Sequence, residues 1–247
     1  MERVWNSGKV IVTGAASGIG KAIVNHCLQE QTAVIACDIK EDALYDLKQS
    51  MGGKERLYTY RLDISKYEDV EKFFEYVTEE HPDTNGLVNN AGIYLAKNIM
   101  QYEPEEIDRV LDINIKGAVY FSKFFGKCLF ESKRRGSIVN LSSVSALDGS
   151  TDAIYGLSKA ALIGLTKSCA INYSPYIRVN AVAPTIVQTP MMSQIPAWRV
   201  EEYLASELID TPVLPEDVAD TVVFLLSEKA RHYTGATFDL NNGGYLR

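Results

Sequence analysis

The 247-residue sequence predicts an α/β fold with a doubly wound, mostly parallel seven-stranded sheet and helices on both faces, giving three layers. Two observations support this prediction. Short runs rich in β-branched residues alternate with amphipathic stretches of helical length. No linker, repeat or low-complexity segment interrupts the alternation, which is typical of a single parallel sheet covered by its crossover helices. We therefore predict one domain over residues 1–247.

The individual elements follow from the same patterns. The predicted strands are Lys9–Thr13, Ala33–Cys37, Leu57–Leu62, Gly86–Asn89, Gly136–Leu141, Ile177–Val182 and Thr237–Leu240. The predicted helices are Gly18–Glu30, Glu41–Met51, Lys66–Glu80, a long helix beginning at Pro104, Asp152–Tyr173 and Pro215–Leu226. A proline at the start followed by acidic residues suits a helix N-terminus, where the dipole favours negative charge.

One stretch departs from the alternation. Residues 185–215 are rich in proline and carry only a weak helix signal, near Pro196–Ser206. So long an irregular excursion in a compact domain is typical of a binding loop or lid. We predict that it covers a substrate site.

Composition excludes several classes of function. The net charge is −7 and the isoelectric point is about 5.1, which argues against nucleic acid or an anionic membrane as the main partner. The four cysteines form neither a CxxC motif nor a Cys/His cluster, so we expect no metal site and no disulfide scaffold. The three histidines, His26, His81 and His232, have no evident partners and are interpreted as structural.

No hydrophobic run approaches the roughly 20 apolar residues that a membrane-spanning helix needs. The N-terminus "MERVWNSGKVIVTG" lacks the apolar core of a secretory signal. With the cysteine usage, this predicts a reducing, cytoplasmic location.

A glycine-rich loop follows the first predicted strand. The segment "TGAASGIGKA" spaces Gly14, Gly18 and Gly20 in a GxxxGxG pattern, with Ser17 and Ile19 between them. Such a loop provides a tight turn, close backbone approach to a pyrophosphate and a helix N-terminus aimed at the anion. The glycines alone fit a ligand-free turn equally well.

The end of the second strand favours a dinucleotide. Asp38 lies there, 18 residues after Gly20, where a carboxylate can accept hydrogen bonds from both hydroxyls of an adenosine ribose. The same charge repels a 2′-phosphate. Ser17 and Ile39 stand where a cation for that phosphate could lie, so we predict NAD in preference to NADP.

Two further strand ends suit the same cofactor. Asp63 and Ile64 follow the third strand, where an adenine edge could be read. The segment "NNAG" puts Asn90, Ala91 and Gly92 after the fourth strand, where small residues let a nucleoside lie against the backbone. Ligands of open α/β sheets bind outside the carboxyl ends of the strands, and all these residues occupy such ends.

Candidate reactive groups lie in the second half of the chain. Tyr155 and Lys159 in "YGLSK" are four residues apart and share one face of a predicted helix. With 14 Tyr and 15 Lys, about one such pair is expected by chance, so the neighbours must decide its meaning. Ser142 follows the fifth strand, 13 residues before Tyr155, and Asn114 lies within the preceding long helix.

Taken together, TGxxxGxG, the strand-end Asp, NNAG, the mid-helix Asn, the Ser and YxxxK resemble the short-chain dehydrogenase/reductase family in order and spacing. The resemblance covers the whole chain, through to "DLNNGG" near the C-terminus. It implies a Rossmann fold, NAD-linked interconversion of an alcohol and a ketone, and a homotetramer. It also implies a catalytic tetrad of Asn114, Ser142, Tyr155 and Lys159.

The implied roles are chemically reasonable. A free phenol has a pKa near 10 and is a poor base, but a nearby ammonium and a positive nicotinamide ring would lower that pKa. Tyr155 would then exchange the proton of the alcohol, and Ser142 would hydrogen-bond the reacting oxygen. Lys159 would also hold the nicotinamide ribose. Asn114 would anchor a water linking Lys159 to solvent.

The segment "VAPTIVQTP" departs from the family pattern. Thr185 follows Pro184 where the family usually has Gly, so we expect a negative φ or strain there. Thr189 keeps the place of a Thr that could bond the nicotinamide amide, and Val187 could offer backbone groups. With Pro184, these complete the predicted cofactor-binding residues.

The substrate is not specified by the sequence. Residues expected to border it are Tyr94, Val144, Leu147, Asp148, Gly149, Met191, Met192 and Trp198. Arg199 could meet a substrate carboxylate or face solvent. Two alternatives remain: an NADPH-dependent 3-oxoacyl-carrier-protein reductase, and a non-catalytic NAD-sensing protein on the same fold.

Overall fold

A computed structural model describes residues 8–52 and 55–246. The first seven residues, which carry part of the evidence against a secretory signal, lie outside the described residues. The described chain contains a seven-stranded, all-parallel sheet in the order β3-β2-β1-β4-β5-β6-β7. The order reverses between β1 and β4, as in a doubly wound fold. The predicted fold class is confirmed.

The strands are β1 Lys9–Thr13, β2 Ala33–Asp38, β3 Leu57–Arg61, β4 Thr84–Asn89, β5 Gly136–Leu141, β6 Ile177–Pro184 and β7 Thr237–Leu240. The helices are α1 Gly18–Gln29, α2 Glu41–Ser50, α3 Tyr67–Glu80, α4 Pro104–Leu111, α5 Gly117–Glu131, α6 Ala153–Asn172, α7 Ala197–Ser206 and α8 Pro215–Leu226. Each predicted strand is found within two residues of its expected bounds.

Apolar side chains pack on both faces of the sheet. Val10 and Val12 of β1 pack in one core with α1, α2 and α8, whereas Ile11 belongs to a second core with α3, α5 and α6. Successive strand residues point to opposite faces, so a strand covered on both sides must be apolar throughout. This explains the uninterrupted run "KVIVT" that marked the first strand.

The predicted long helix from Pro104 is divided. Asp112–Lys116 forms a π-helical turn between α4 and α5. The turn contains the predicted site residue Asn114, which is fully buried. Single π turns within helices are frequent at functional sites, because the extra residue redirects nearby side chains.

Residues 185–214 form an excursion beyond β6. It holds a 3₁₀ turn, Pro190–Gln194, and the helix α7, and a bridge between Val187 and Val213 pairs its two ends. Thr185 does not have the left-handed φ that would favour glycine, and its hydroxyl donates to Glu207 at 2.7 Å. The unusual Thr is therefore accommodated without strain and bonds the far end of the excursion.

Every helix among the described residues is too short or too polar to cross a lipid bilayer. The same residues contain no group of three His, Cys, Asp or Glu arranged to hold a metal ion. His26 pairs with Asp220 at 2.9 Å, and the buried His81 bonds the Tyr76 hydroxyl at 3.0 Å. These two histidines therefore have partners that the sequence did not indicate, and neither lines the main cavity described below.

Candidate active site

A cavity of about 590 Å³ opens at the carboxyl ends of the central strands. It is bordered by the glycine loop, by the ends of β2 to β6 and by the 185–214 excursion. Among the predicted cofactor residues, those lining it are Gly14, Ser17, Gly18, Ile19, Asp38, Ile39, Asp63, Ile64, Asn90, Ala91, Gly92, Tyr155, Lys159, Pro184, Val187 and Thr189. The structure therefore brings both halves of the predicted site to one place.

The glycine loop needs glycine for two reasons. Gly14 and Gly18 have φ of 63° and 50°, in the region that side chains disfavour. Gly20 does not line the cavity, but a Cβ there would lie 2.1 Å from the Gly14 carbonyl oxygen. Gly20 therefore permits close packing of α1 on β1, and the backbone around the loop stays open to a ligand.

The glycine loop is held by hydrogen bonds with residues at the ends of β1 and β4. The Asn90 amide donates to the carbonyls of Thr13 and Gly14, at 2.9 and 3.1 Å. The Thr13 hydroxyl accepts from the backbone N–H groups of Asn90 and Ala91. Asn90 thus holds the β1 turn in place, a role that its position in "NNAG" did not indicate.

Asp38 lines the cavity at the carboxyl end of β2, where the sequence predicts the adenosine ribose. Its two carboxylate oxygens accept from the backbone N–H groups of Ala16 and Lys40, each at 3.1 Å. A carboxylate oxygen can accept more than one hydrogen bond, so both remain able to bind ribose hydroxyls. Asp63 instead accepts from the backbone and hydroxyl of Ser65, at 3.0 and 2.6 Å, and so stabilises its own turn.

These features fit a dinucleotide. The loop offers backbone without side chains where a pyrophosphate would lie, and Asp38 offers acceptors at the ribose position.

Lys159 lies in the wall of the cavity and is almost fully buried. Its ammonium donates to the carbonyl of Leu141 at 2.7 Å and lies 5.7 Å from the centre of the Tyr155 ring. Burial lowers the pKa of Lys159 to about 8, because the charged form loses solvation.

Tyr155 differs from the expectation. We expected the neighbouring ammonium to lower its pKa, but burial raises the pKa of Tyr155 to about 12, a hydrogen bond with Ser143 lowers it, and nearby acidic groups raise it further. In the protein alone, desolvation of the phenolate therefore dominates the pKa of Tyr155, and the expected lowering by Lys159 is not found.

The serine prediction is corrected by the structure. Ser142, expected to face the reacting oxygen, is 3% exposed, and its hydroxyl donates to the carbonyl of Lys159 at 2.8 Å. The neighbouring Ser143 forms the side-chain hydrogen bond with Tyr155. Consecutive residues of extended chain point in opposite directions, so only one of the two serines can face Tyr155. Both serines line the cavity, but the serine that bonds Tyr155 is Ser143 and not the Ser142 expected from the sequence.

Asn114 connects two parts of the site. Its side chain bonds the backbone N–H and C=O of Ile93, at 2.8 and 2.9 Å, and donates to Ser158 on α6 at 3.0 Å. A Cβ on Gly92 would lie 3.3 Å from the Asn114 oxygen and 3.5 Å from the Lys159 ammonium. The glycine therefore leaves room between these groups, where the predicted water could lie.

The residues expected around the substrate are only partly brought together. Tyr94, Val144, Met191 and Met192 line the cavity, but Leu147, Asp148, Gly149 and Trp198 do not. The ring of Tyr94 packs edge-on against that of Tyr155, with centroids 5.0 Å apart. Tyr203 also lines the cavity but was not predicted, because a lone aromatic in an irregular segment gives no signal of its own.

Comparisons with known proteins agree with this geometry. Residues 14–245 match a family model described as enoyl-(acyl carrier protein) reductase. A 3-oxoacyl-[acyl-carrier-protein] reductase of Thermotoga maritima is 35% identical, over 96% of this chain and 97% of its own length. The chain belongs to the short-chain dehydrogenase/reductase family.

Two solved structures of this family are similar to the chain. A glucose/ribitol dehydrogenase of Brucella melitensis is 31% identical with a TM-score of 0.93, and all of both chains is covered. A 3-ketoacyl-(acyl-carrier-protein) reductase of the same organism, complexed with NADH, is 26% identical with a TM-score of 0.91, covering 98% of this chain and 100% of that one. The chain is therefore an oxidoreductase of alcohol- or ketone-type substrates that uses a nicotinamide cofactor.

Proposed function

We propose that this short-chain dehydrogenase/reductase uses NAD(H) to interconvert a secondary alcohol and a ketone, with Tyr155 as general acid and base. The single observation that carries the cofactor preference is Asp38. Its carboxylate lines the adenosine end of the cavity and would repel the 2′-phosphate of NADP.

The bound cofactor would accept or supply the hydride, and the protein handles the proton. The Tyr155 phenolate would take the proton of the alcohol in oxidation, and the Tyr155 hydroxyl would return it in reduction. Ser143, which hydrogen-bonds Tyr155, would also hydrogen-bond the reacting oxygen. The buried Lys159 keeps a positive charge beside the phenol ring and can reach the nicotinamide ribose.

Initial rates with NAD and NADP test the cofactor assignment, using a panel of secondary alcohols, polyols, sugars, steroids and hydroxy acids followed by NADH absorbance. We expect a clear preference for NAD. The variant Asp38→Ala should reduce the preference, whereas Glu41→Ala, which removes a neighbouring surface acid, should not. Equal or faster rates with NADP in the unmodified protein would refute the role of Asp38.

A second candidate is a 3-oxoacyl-carrier-protein reductase, favoured by the relative from Thermotoga maritima. Asp38 and the net charge of −7 count against NADPH and against an acidic carrier protein as partner. Rapid NADPH oxidation with an acetoacetyl thioester, exceeding all NAD-linked rates, would favour this candidate.

A non-catalytic NAD sensor is the remaining alternative. It predicts that Tyr155→Phe leaves the biological activity intact, whereas the enzyme proposal predicts loss of turnover with retained NAD binding.

The homotetramer is also proposed. Apolar side chains are exposed on two helices, namely Val119 and Phe130 on α5 and Leu157 and Ile171 on α6. Burial of such side chains against a second copy would be favourable. A monomer in light scattering at working concentration would refute the assembly.

Location in the cytoplasm is proposed on the cysteines. All four of them, Cys27, Cys37, Cys128 and Cys169, are free thiols. Three of them are buried, and free thiols persist in reducing compartments. Cell fractionation tests the location, and recovery of the protein outside the cytoplasm would contradict it.

A further inference from the structure

A guanidinium lies in the wall of the candidate active site. Arg199 of α7 lines the cavity together with Tyr94, Tyr155 and Tyr203. Its side chain is only 18% exposed. An arginine this enclosed differs from the solvent-facing arginines that the sequence alone would suggest, and it can meet a molecule bound in the cavity.

The guanidinium is held in a fixed orientation. One terminal nitrogen donates to Glu202 at 2.5 Å, the other donates to the Tyr203 hydroxyl at 3.1 Å, and the group lies over the Tyr203 ring at 4.5 Å. Glu202 is 57% exposed, so this carboxylate lies on the solvent side of the pair. The two bonds occupy two of five N–H donors, which leaves one N–H free on each terminal nitrogen; Nε is buried and has no hydrogen-bond partner.

The charges around the cavity are unevenly distributed. The carboxylates among the described residues that line it are Asp38 and Asp63, both at the adenosine end after β2 and β3. No carboxylate lines the part formed by the excursion and by Tyr155, where the cations Lys159 and Arg199 lie. Asp152 lies behind this wall, near enough to raise the pKa of Tyr155, but does not line the cavity. Positive groups facing a part of the cavity without a lining acid favour an anionic ligand there.

We propose that the substrate carries a carboxylate, which Arg199 binds, so that the enzyme acts on a hydroxy acid or the corresponding oxo acid. The proposal rests on the alcohol–ketone chemistry proposed above and names its substrate class. The planar fork of a guanidinium matches the two oxygens of a carboxylate. Spare N–H groups on a preoriented guanidinium provide such a fork.

The residues around Arg199 restrict the shape of the rest of the proposed substrate. Met191, Met192 and Ile195 line the same part of the cavity, so an aliphatic body is accommodated between the two polar ends. Tyr94 contacts Tyr155, and the charge of Arg199 lowers the pKa of Tyr94 although burial raises it more. Arg199 is therefore near enough to the reacting groups to engage a short acid.

An acid and its methyl ester have similar shapes but different charges, so comparing their rates isolates the effect of the carboxylate charge. We would measure NAD-linked oxidation of 3-hydroxybutyrate and of its methyl ester, and extend the acids to 2-hydroxy and 4-hydroxy isomers. We expect kcat/KM for the best acid to exceed that of its ester by about 10- to 100-fold, the typical worth of hydrogen bonds to a charged group. Arg199→Met should remove most of this difference, and Arg199→Lys should restore part of it.

The control variant is Arg231→Met, which removes an equal charge from an exposed residue that does not line the cavity. It should leave the acid-to-ester ratio unchanged. An ester that reacts as well as its acid, or an unchanged ratio in Arg199→Met, would overturn the inference while the alcohol–ketone chemistry stood.

Binding is measured separately from turnover. Calorimetry of the NAD-loaded protein with butyrate and with butyramide should show binding of the acid, and Arg199→Met should weaken it at least about tenfold. If no alcohol of the panel reacts, the proposed function fails but butyrate binding still supports the carboxylate site. Equal binding of butyrate and butyramide would contradict the site whatever the turnover.

Discussion

The two adjacent serines provide a sharp test of the site geometry. Ser143→Ala removes the hydroxyl that bonds Tyr155, whereas Ser142→Ala removes a hydroxyl that donates to the buried carbonyl of Lys159 at 2.8 Å. Loss of a donor to the reacting oxygen typically costs about 10²- to 10³-fold in kcat. Because Lys159 lies inside α6, its carbonyl keeps the helical hydrogen bond, and loss of the second donor costs about 0.5–1.5 kcal/mol of stability, or roughly 1–6 °C in Tm for a domain of this size.

We therefore expect the two variants to differ in kcat. Ser143→Ala should lower kcat by about 100-fold or more. Its Tm should also fall by a few degrees, because the short turn that Ser143 caps through the Ser145 N–H is weakened. Ser142→Ala should lower Tm and keep kcat within about tenfold of the unmodified enzyme.

Steady-state kinetics with the best substrate and thermal unfolding measure the two effects, and Ser143→Thr serves as a control that retains the hydroxyl. The reasoning would be refuted if Ser142→Ala lost activity 100-fold while Ser143→Ala remained active.

Three further changes test other parts of the site. Gly20→Ala places a Cβ 2.1 Å from the Gly14 oxygen, so we expect loss of NAD binding by calorimetry and a lower Tm; unchanged affinity would contradict the packing argument. Asp152→Asn keeps an oxygen to cap the Tyr155 N–H but removes a charge that raises the pKa of Tyr155. The alkaline rise of the oxidation rate should therefore move to lower pH, and a shift to higher pH would be inconsistent with this effect. Lys159→Met should abolish turnover without lowering Tm at pH 7, because the buried ammonium is itself destabilising. The pKa of Lys159 falls from 10.5 to about 8 on folding, so the unfolded chain binds more protons between these values. The stability of the unmodified protein should rise across that range relative to Lys159→Met, and parallel pH profiles would exclude the shift.

The sequence predicted the sheet well because parallel strands buried on both faces are uninterrupted apolar runs. Val10, Ile11 and Val12 show this directly, since they fill two different cores from one strand. The π-helical turn at Asn114 could not be predicted, because its extra residue is stabilised by contacts with Ile93 and Ser158, which are distant in sequence.

The site was predicted unevenly for a related reason. The predicted cofactor-binding residues lie directly after strands, and the ends of strands can be predicted from the sequence. The GxxxGxG loop and Asp38 are examples. The choice between Ser142 and Ser143 depends on which face of the chain meets Tyr155 after β5 ends. That orientation is set by the loop before α6, which has no periodic pattern.

Arg199 illustrates what the sequence can and cannot predict about the part of the cavity proposed to bind substrate. Its partners Glu202 and Tyr203 are three and four residues later, the spacings at which helix side chains meet. The segment "WRVEEY" therefore contained the evidence that a helical Arg199 would be held by its neighbours. It did not contain the direction in which the held guanidinium points, because that depends on how α7 lies across the mouth of the cavity. If Arg199 binds the substrate as proposed, substrate choice depends on the packing of one helix in the excursion, whereas the proposed reaction depends on residues that the strand ends position.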